Sequence, residues 1–142
     1  MLVIDVMTPG LRVIAPDATV RDAALIMDRF DVGSLPVQER DGRLVGIVTD
    51  RDIALRATAK GRDPDLIHVR DVMTRQVTCC FADSDAHAAV ELMEQLRVRR
   101  LPVVDRDNRP IGMIALADIA LRMGDHHATS SVLESVSEPA EV

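Results

Sequence analysis

The sequence predicts an α+β fold made of two copies of one unit, each ordered strand, helix, strand, strand, helix. Three observations carry this reading. Runs of residues recur 66 positions apart (5 to 71): "DVMT" at 5–8 and 71–74, "LPV" at 35–37 and 101–103, "DIALR" at 52–56 and 118–122. No gap is needed between the runs, and Asp17/Asp83, Ala23/Ala89, Met27/Met93 and Val32/Val98 match at the same spacing. Within each copy, one segment carries its apolar residues at helical spacing while others are short apolar runs bounded by turn signals. Two copies point to a pseudo-twofold pair and not to a solenoid, since stacked arrays need about three or more repeats.

In the first copy, Val13 and Ile14 form a short strand, followed by Pro16-Asp17. Thr19 opens a helix, and Asp22 completes a capping box in which each side chain satisfies the other residue's backbone N–H. Val20, Ala23, Ala24, Met27 and Phe30 give that helix one apolar face, repeated by Ala86, Ala89, Val90, Met93 and Leu96. A strand from Leu35 to Gln38 leads to Asp41-Gly42, a hairpin signal; the matching turn of the second copy reads "RDNR" in place of "RDGR". The strand Leu44 to Val48 runs into a helix from about Asp50 to Ala59, ended by Gly61 and Pro64. Repeat 1 therefore spans 1–60, a joining stretch 61–68, and repeat 2 69–125. The tail, 126–142, has little apolar patterning and is expected to fray.

At 142 residues with 47% apolar content, the chain is large enough for a core without staples. A net charge of −6 argues against binding a phosphate backbone, which needs a basic face. The only aromatic residues, Phe30 and Phe81, provide no platform for stacking bases. No apolar run reaches the roughly 18 residues of a membrane span, and the N-terminus lacks the basic region and cleavage site of a secretory signal. Nucleic acid and membrane are accordingly not expected partners. The adjacent Cys79 and Cys80 cannot form an ordinary disulfide with each other and fit a reducing, cytoplasmic setting.

Catalytic and metal chemistry find little support. His87 is the histidine nearest in sequence to the cysteines, but its helix position is on the polar side. His126 and His127, with His68 and Asp125, are the residues from which a zinc site would have to be assembled; adjacent histidines rarely share one ion, and no metal site is expected. There is no Walker loop or dinucleotide glycine motif.

"DVMT", a helix, "LPV" and "GIVTDRDI", repeated in order without a gap, resemble a tandem pair of CBS domains (the Bateman module) over roughly residues 3 to 125. The chain is similar to small stand-alone members carrying the "TDRDI" run. The resemblance implies two βαββα units around a pseudo-twofold axis, commonly assembled as a disk-like homodimer. It also implies clefts for adenosine compounds (AMP, ADP, ATP or S-adenosylmethionine), no obligatory cofactor, and a regulatory, non-enzymatic role acting through an unknown protein partner. The alternative is a ligand-free dimerisation or interaction module.

The family's ribose-phosphate signature, carried over, falls on Gly46, Thr49 and Asp52. A carboxylate can accept from the paired hydroxyls of a ribose, and a Thr hydroxyl with free N–H groups can meet a phosphate. Thr-x-x-Asp is equally a helix capping box that needs no ligand, and the two roles can coexist. The resemblance places Met73, Thr78 and Val98 around the base at this first site. It adds Arg99 and Arg100, within "RVRR", as phosphate contacts; the plain readings are core or strand residues and a solvated basic face. The second site would comprise Val6, Met7, Val32 and Asp118. There Ala115 replaces the Thr, and Gly33 and Ser34 stand where the second copy has the arginines, so the first site is expected to be the better nucleotide site.

Overall fold

A computed structural model describes residues 1–123; Asp125, His126, His127 and the tail at 126–142 lie outside the described residues. Each copy of "DVMT" begins as a single helical turn, α1 (Val3–Val6) and α4 (Val69–Val72), which the sequence reading did not anticipate. The aspartate of each motif caps its own turn: Asp5 Oδ2 accepts from Leu2 N at 3.0 Å, and Asp71 Oδ2 accepts from His68 N at 2.8 Å. After α1 comes β1 (Thr8–Pro9).

The long helix α2 (Val20–Phe30) starts as expected, with Thr19 Oγ1 accepting from Asp22 N and Asp22 Oδ2 accepting from Thr19 N, both at 3.1 Å. It ends at Asp31, in the left-handed region at φ 52°. Its counterpart α5 (Ala86–Leu96) ends the same way at Arg97, φ 56°. The duplicated helices thus stop at the same position, though neither has the glycine that usually marks such an end.

β2 (Ser34–Gln38) and β3 (Leu44–Thr49) pair antiparallel, Ser34 opposite Thr49 and Val37 opposite Gly46. β4 (Cys80–Phe81) pairs parallel with β5 (Arg100–Val104), and β5 neighbours β6 (Pro110–Ala115). The two hairpin turns carry a positive-φ residue at the matching position, Gly42 at 94° and Asn108 at 62°, Asn being among the residues that tolerate this region. The expected strand at Val13–Ile14 reduces to one bridge, Ile14 to Val37 in parallel. The expected helix from Asp50 divides into an α-helical turn, α3 (Asp50–Ile53), and a π-helical segment, Ala54–Thr58, where Ala59 N reaches Ala54 O. The second copy's final helix, α6 (Leu116–Met123), is a regular α-helix.

The residues group into two compact units that exchange the leading segments of the repeats. Among the described residues, unit 1 contains 1–10, 78–107 and 111–123; unit 2 contains 11–77 and 108–110. In unit 1, Val3 and Val6 of α1 join the core made by Ala89, Val90, Met93, Leu101, Ile114 and Ile119 of the second repeat. In unit 2, Val69, Val72 and Met73 join Val20, Ala23, Leu35, Val37 and Val48 of the first. Each leading segment also pairs with the sheet: β1 pairs with β6, Thr8 opposite Met113, and Thr74 forms a single bridge to Ile47 through two hydrogen bonds of 2.9 Å.

A glycine permits that pairing in each unit. A Cβ on Gly46 would stand 2.6 Å from Met73 Sδ and 3.0 Å from Thr74 O; one on Gly112 would stand 2.6 Å from Thr8 O and 2.8 Å from Met7 Sδ. The duplicated glycines therefore serve the close approach of the exchanged segment.

Candidate functional site

β3 delivers Thr49 to the start of α3 in an extended conformation, φ −116° and ψ 162°, so its side chain turns back over the first helical turn. Thr49 Oγ1 accepts from Asp52 N and Asp52 Oδ2 accepts from Thr49 N, each at 3.0 Å. The capping box read from the sequence is formed. The Asp52 side chain is 12% exposed, and its Oδ1 stands 3.9 Å from Arg56, leaving that oxygen with acceptor capacity. Arg56 also donates to the carbonyls of Val72 and Met73, at 2.9 and 3.2 Å, where α4 presents its unsatisfied C-terminal carbonyls. Its repeat counterpart Arg122 donates to Asp5 O of α1 at 3.0 Å.

The second copy differs at the same corner. Ala115 offers no cap, and the Asp118 carboxylate, half-buried, has no hydrogen-bond or ion-pair partner among the described residues. Asp118 borders a cavity of about 380 Å³ together with Thr8, Gly10, Arg100, Met113 and Ala115, all in unit 1. Arg100, the first residue of β5, is exposed and likewise unpaired among the described residues. Arg99 and Arg100 also border a groove of about 500 Å³ that runs along Leu116, Ala120 and Leu121 of α6.

The candidate residues distribute as follows. Thr49, Asp52 and Met73 lie in unit 2; Thr78, Val98, Arg99 and Arg100 lie in unit 1. Arg100, assigned from sequence to the Thr49 site, thus shares its cavity with Asp118 of the second. Val6, Met7 and Asp118 lie in unit 1 and Val32 in unit 2. Val6, 2% exposed, and Met73, 6% exposed, are core residues of their units, while Met7, Val98 and Val32 pack at core margins. Thr78 is exposed. Thr8 and Gly10 were not among the candidates. The signal that could have found them is the exchange of leading segments, which the sequence repeats alone do not display.

Cys80 is buried and its thiol is pushed up to about 11, chiefly by desolvation; burial also raises the Cys79 thiol. Neither is poised as a thiolate nucleophile. No group of three or more metal-ligating side chains occurs among the described residues. No helix among them is long and apolar enough to cross a membrane.

Two repeats with duplicated strand-to-helix corners, each corner bearing an aspartate beside the other repeat's leading segment, define a tandem two-domain α+β module. The chain belongs to the CBS-domain family, whose model matches residues 3–57 and 69–125. It is 38% identical over 133 residues to the CBS domain-containing protein YhcV of Bacillus subtilis, covering 94% of this chain and 93% of that one. Among solved structures it is similar to CBSX2 in complex with AMP, at 30% identity and TM-score 0.73, covering 87% of this chain and 98% of that one. It is also similar to the CBS domain pair of MJ0100 in complex with 5′-methylthioadenosine and S-adenosyl-L-methionine, at 28% identity and TM-score 0.71, with coverage of 89% and 98%.

Proposed function

We propose that this chain is a regulatory module that binds an adenosine-containing small molecule, carries out no chemistry on it, and acts through a partner or an assembly. The observation that carries this reading is the cavity of about 380 Å³ in unit 1, bordered by Arg100 and Asp118, neither paired with a described residue. A carboxylate accepts from the vicinal hydroxyls of a ribose, and a guanidinium fork fits a phosphate. AMP in CBSX2, and the two adenosine compounds in MJ0100, have the ribose and adenine in common. The second cleft, built on Asp118 with Arg100, is therefore read as the better nucleotide site, and the Thr49/Asp52 corner as the weaker one. At that corner one carboxylate oxygen is committed to the helix cap. The test is calorimetric titration with AMP: Arg100→Gln should weaken AMP at least about tenfold, as loss of a charge-assisted contact does, while barely affecting adenosine. Equal AMP affinity in both proteins would remove Arg100 from the site.

Output in this reading passes through packing, and a ligand shifts a partner only by its differential affinity for two arrangements. The assembly is a homodimer in the cytoplasm, a compartment that suits two adjacent free thiols. A second reading, a ligand-free interaction module, is favoured by Leu121, which is 85% exposed on α6 beside the apolar groove. Its repeat counterpart Leu55 is 47% exposed. Light scattering of Leu121→Glu tests both ideas: a dimer that dissociates supports the apolar face as the interface, and an unchanged mass removes it.

A further inference from the structure

Unit 2 has a charged cavity of its own, at the opposite end of its hairpin from Thr49. It is an open cavity of about 260 Å³, bordered by the buried Met73 and by the exposed Arg40, Arg70, Arg75, Asp17 and Glu39. Ser34 pairs with Thr49 at one end of the β2–β3 ladder and Gln38 with Leu44 at the other, with Arg40 just beyond. At about 3.4 Å per residue the two places are roughly 15 Å apart. They also use different faces of the exchanged segment. In unit 1 the cavity beside Asp118 is bordered by Thr8 and Gly10. The cavity here takes Met73 and Arg75, counterparts of Met7 and Pro9, which alternation along an extended chain turns the other way.

The duplication supplies an internal comparison. At the same place in unit 1, Arg106 is locked: its Nε and Nη2 donate to Asp83 at 3.0 and 2.7 Å, and its guanidinium lies 4.0 Å from the centroid of the Phe81 ring. In unit 2 the ring is replaced by Ala15, and Arg40 and Asp17, counterparts of Arg106 and Asp83, form no ion pair. Two further arginines enter, Arg70 where the first copy of the motif has Ile4 and Arg75 where it has Pro9. Arg70 is held at the rim because its backbone N donates to Pro16 O at 3.0 Å. None of the three guanidinium groups and neither carboxylate has a side-chain partner among the described residues. Three arginines lining one cavity carry like charge, and an anion among them would offset it.

We propose that this cavity binds a small phosphate monoester, the arginines holding the phosphate and Asp17 and Glu39 accepting from hydroxyl groups on the remainder. Rigid guanidinium forks match tetrahedral oxyanions. The site is separate from the adenosine cleft and stands whether or not that cleft is occupied.

The experiment follows arginine Nε–Hε resonances by NMR while inorganic phosphate is titrated at constant ionic strength. Saturable shifts at Arg40, Arg70 and Arg75 are expected. They should weaken about tenfold or more in Arg70→Ser/Arg75→Gln, consistent with loss of charge-assisted hydrogen bonds, and persist in Asp52→Ala. Asp17→Asn/Glu39→Gln, which removes the opposing charges, should tighten phosphate several-fold, a gain that misfolding cannot mimic. Shifts reproduced by chloride alone would overturn the proposal, as would binding that survives the arginine substitutions or disappears in Asp52→Ala.

Discussion

Thr49 and Asp52 hydrogen-bond to each other's backbone in both directions, at 3.0 Å each way, and the repeat counterpart of this pair, Ala115 and Asp118, does not. A single hydroxyl separates a corner whose aspartate is held by a cap from one whose aspartate is left to face a cavity.

That difference has a stability consequence. Thr49→Ala should cost about 1 kcal/mol, and Ala115→Thr, which offers a cap to α6 and a partner to Asp118, should gain up to about 1 kcal/mol. Urea unfolding followed by circular dichroism measures both. A stabilised Ala115→Thr protein that also binds AMP more weakly would show that the cap and the ligand draw on the same carboxylate.

The glycines at the exchanged segments should tolerate a methyl group unequally. At Gly46 the nearest atom is the end of the flexible Met73 side chain, at 2.6 Å, with Thr74 O at 3.0 Å behind it; at Gly112 the nearest is backbone, Thr8 O at 2.6 Å. Gly46→Ala should cost about 1–3 kcal/mol, the usual range for overpacking, and Gly112→Ala more, because a backbone carbonyl cannot swing aside. Equal costs by denaturant midpoint would contradict the proposed basis of the pairing.

Cys80 should make stability fall in alkali. Burial pushes its thiol up to about 11 in the fold, from an ordinary 9.0. Between those values the unfolded chain has released the proton and the folded chain has not, so unfolding gains as pH rises. Stability present below about pH 9 is therefore lost progressively toward pH 11. Melting temperatures across that range should converge on a flatter profile in Cys80→Ala.

Much of this architecture was legible in the sequence because local signals and the repeat agreed. Thr19 and Asp22, the short apolar run Leu44–Val48 and the turn at Asp41-Gly42 each have a mechanism confined to a few neighbouring residues. What was not legible depends on long-range packing. Val3 and Val6 look like the start of repeat 1 but are buried with repeat 2, and no local pattern marks that exchange. For the same reason the sequence places Arg100, sixty-six positions from Ser34, only at the Thr49 site and gives no sign that it borders a cavity with Asp118. Gly46, part of the ribose-phosphate signature that the family resemblance implies, also has a packing role that only the atoms around it reveal.

The most direct test of the central claim is thermal unfolding by circular dichroism, suited to a chain without Trp or Tyr, with AMP, ATP and S-adenosylmethionine added separately. A ligand at about 100 times its dissociation constant stabilises by roughly 2.7 kcal/mol, and near this size each kcal/mol raises the midpoint by about 3 °C. Such a rise is expected with at least one adenosine compound, abolished in Asp118→Ala and only reduced in Asp52→Ala. No rise with any of them in a cooperatively folding sample, or a rise untouched by both substitutions, would contradict it.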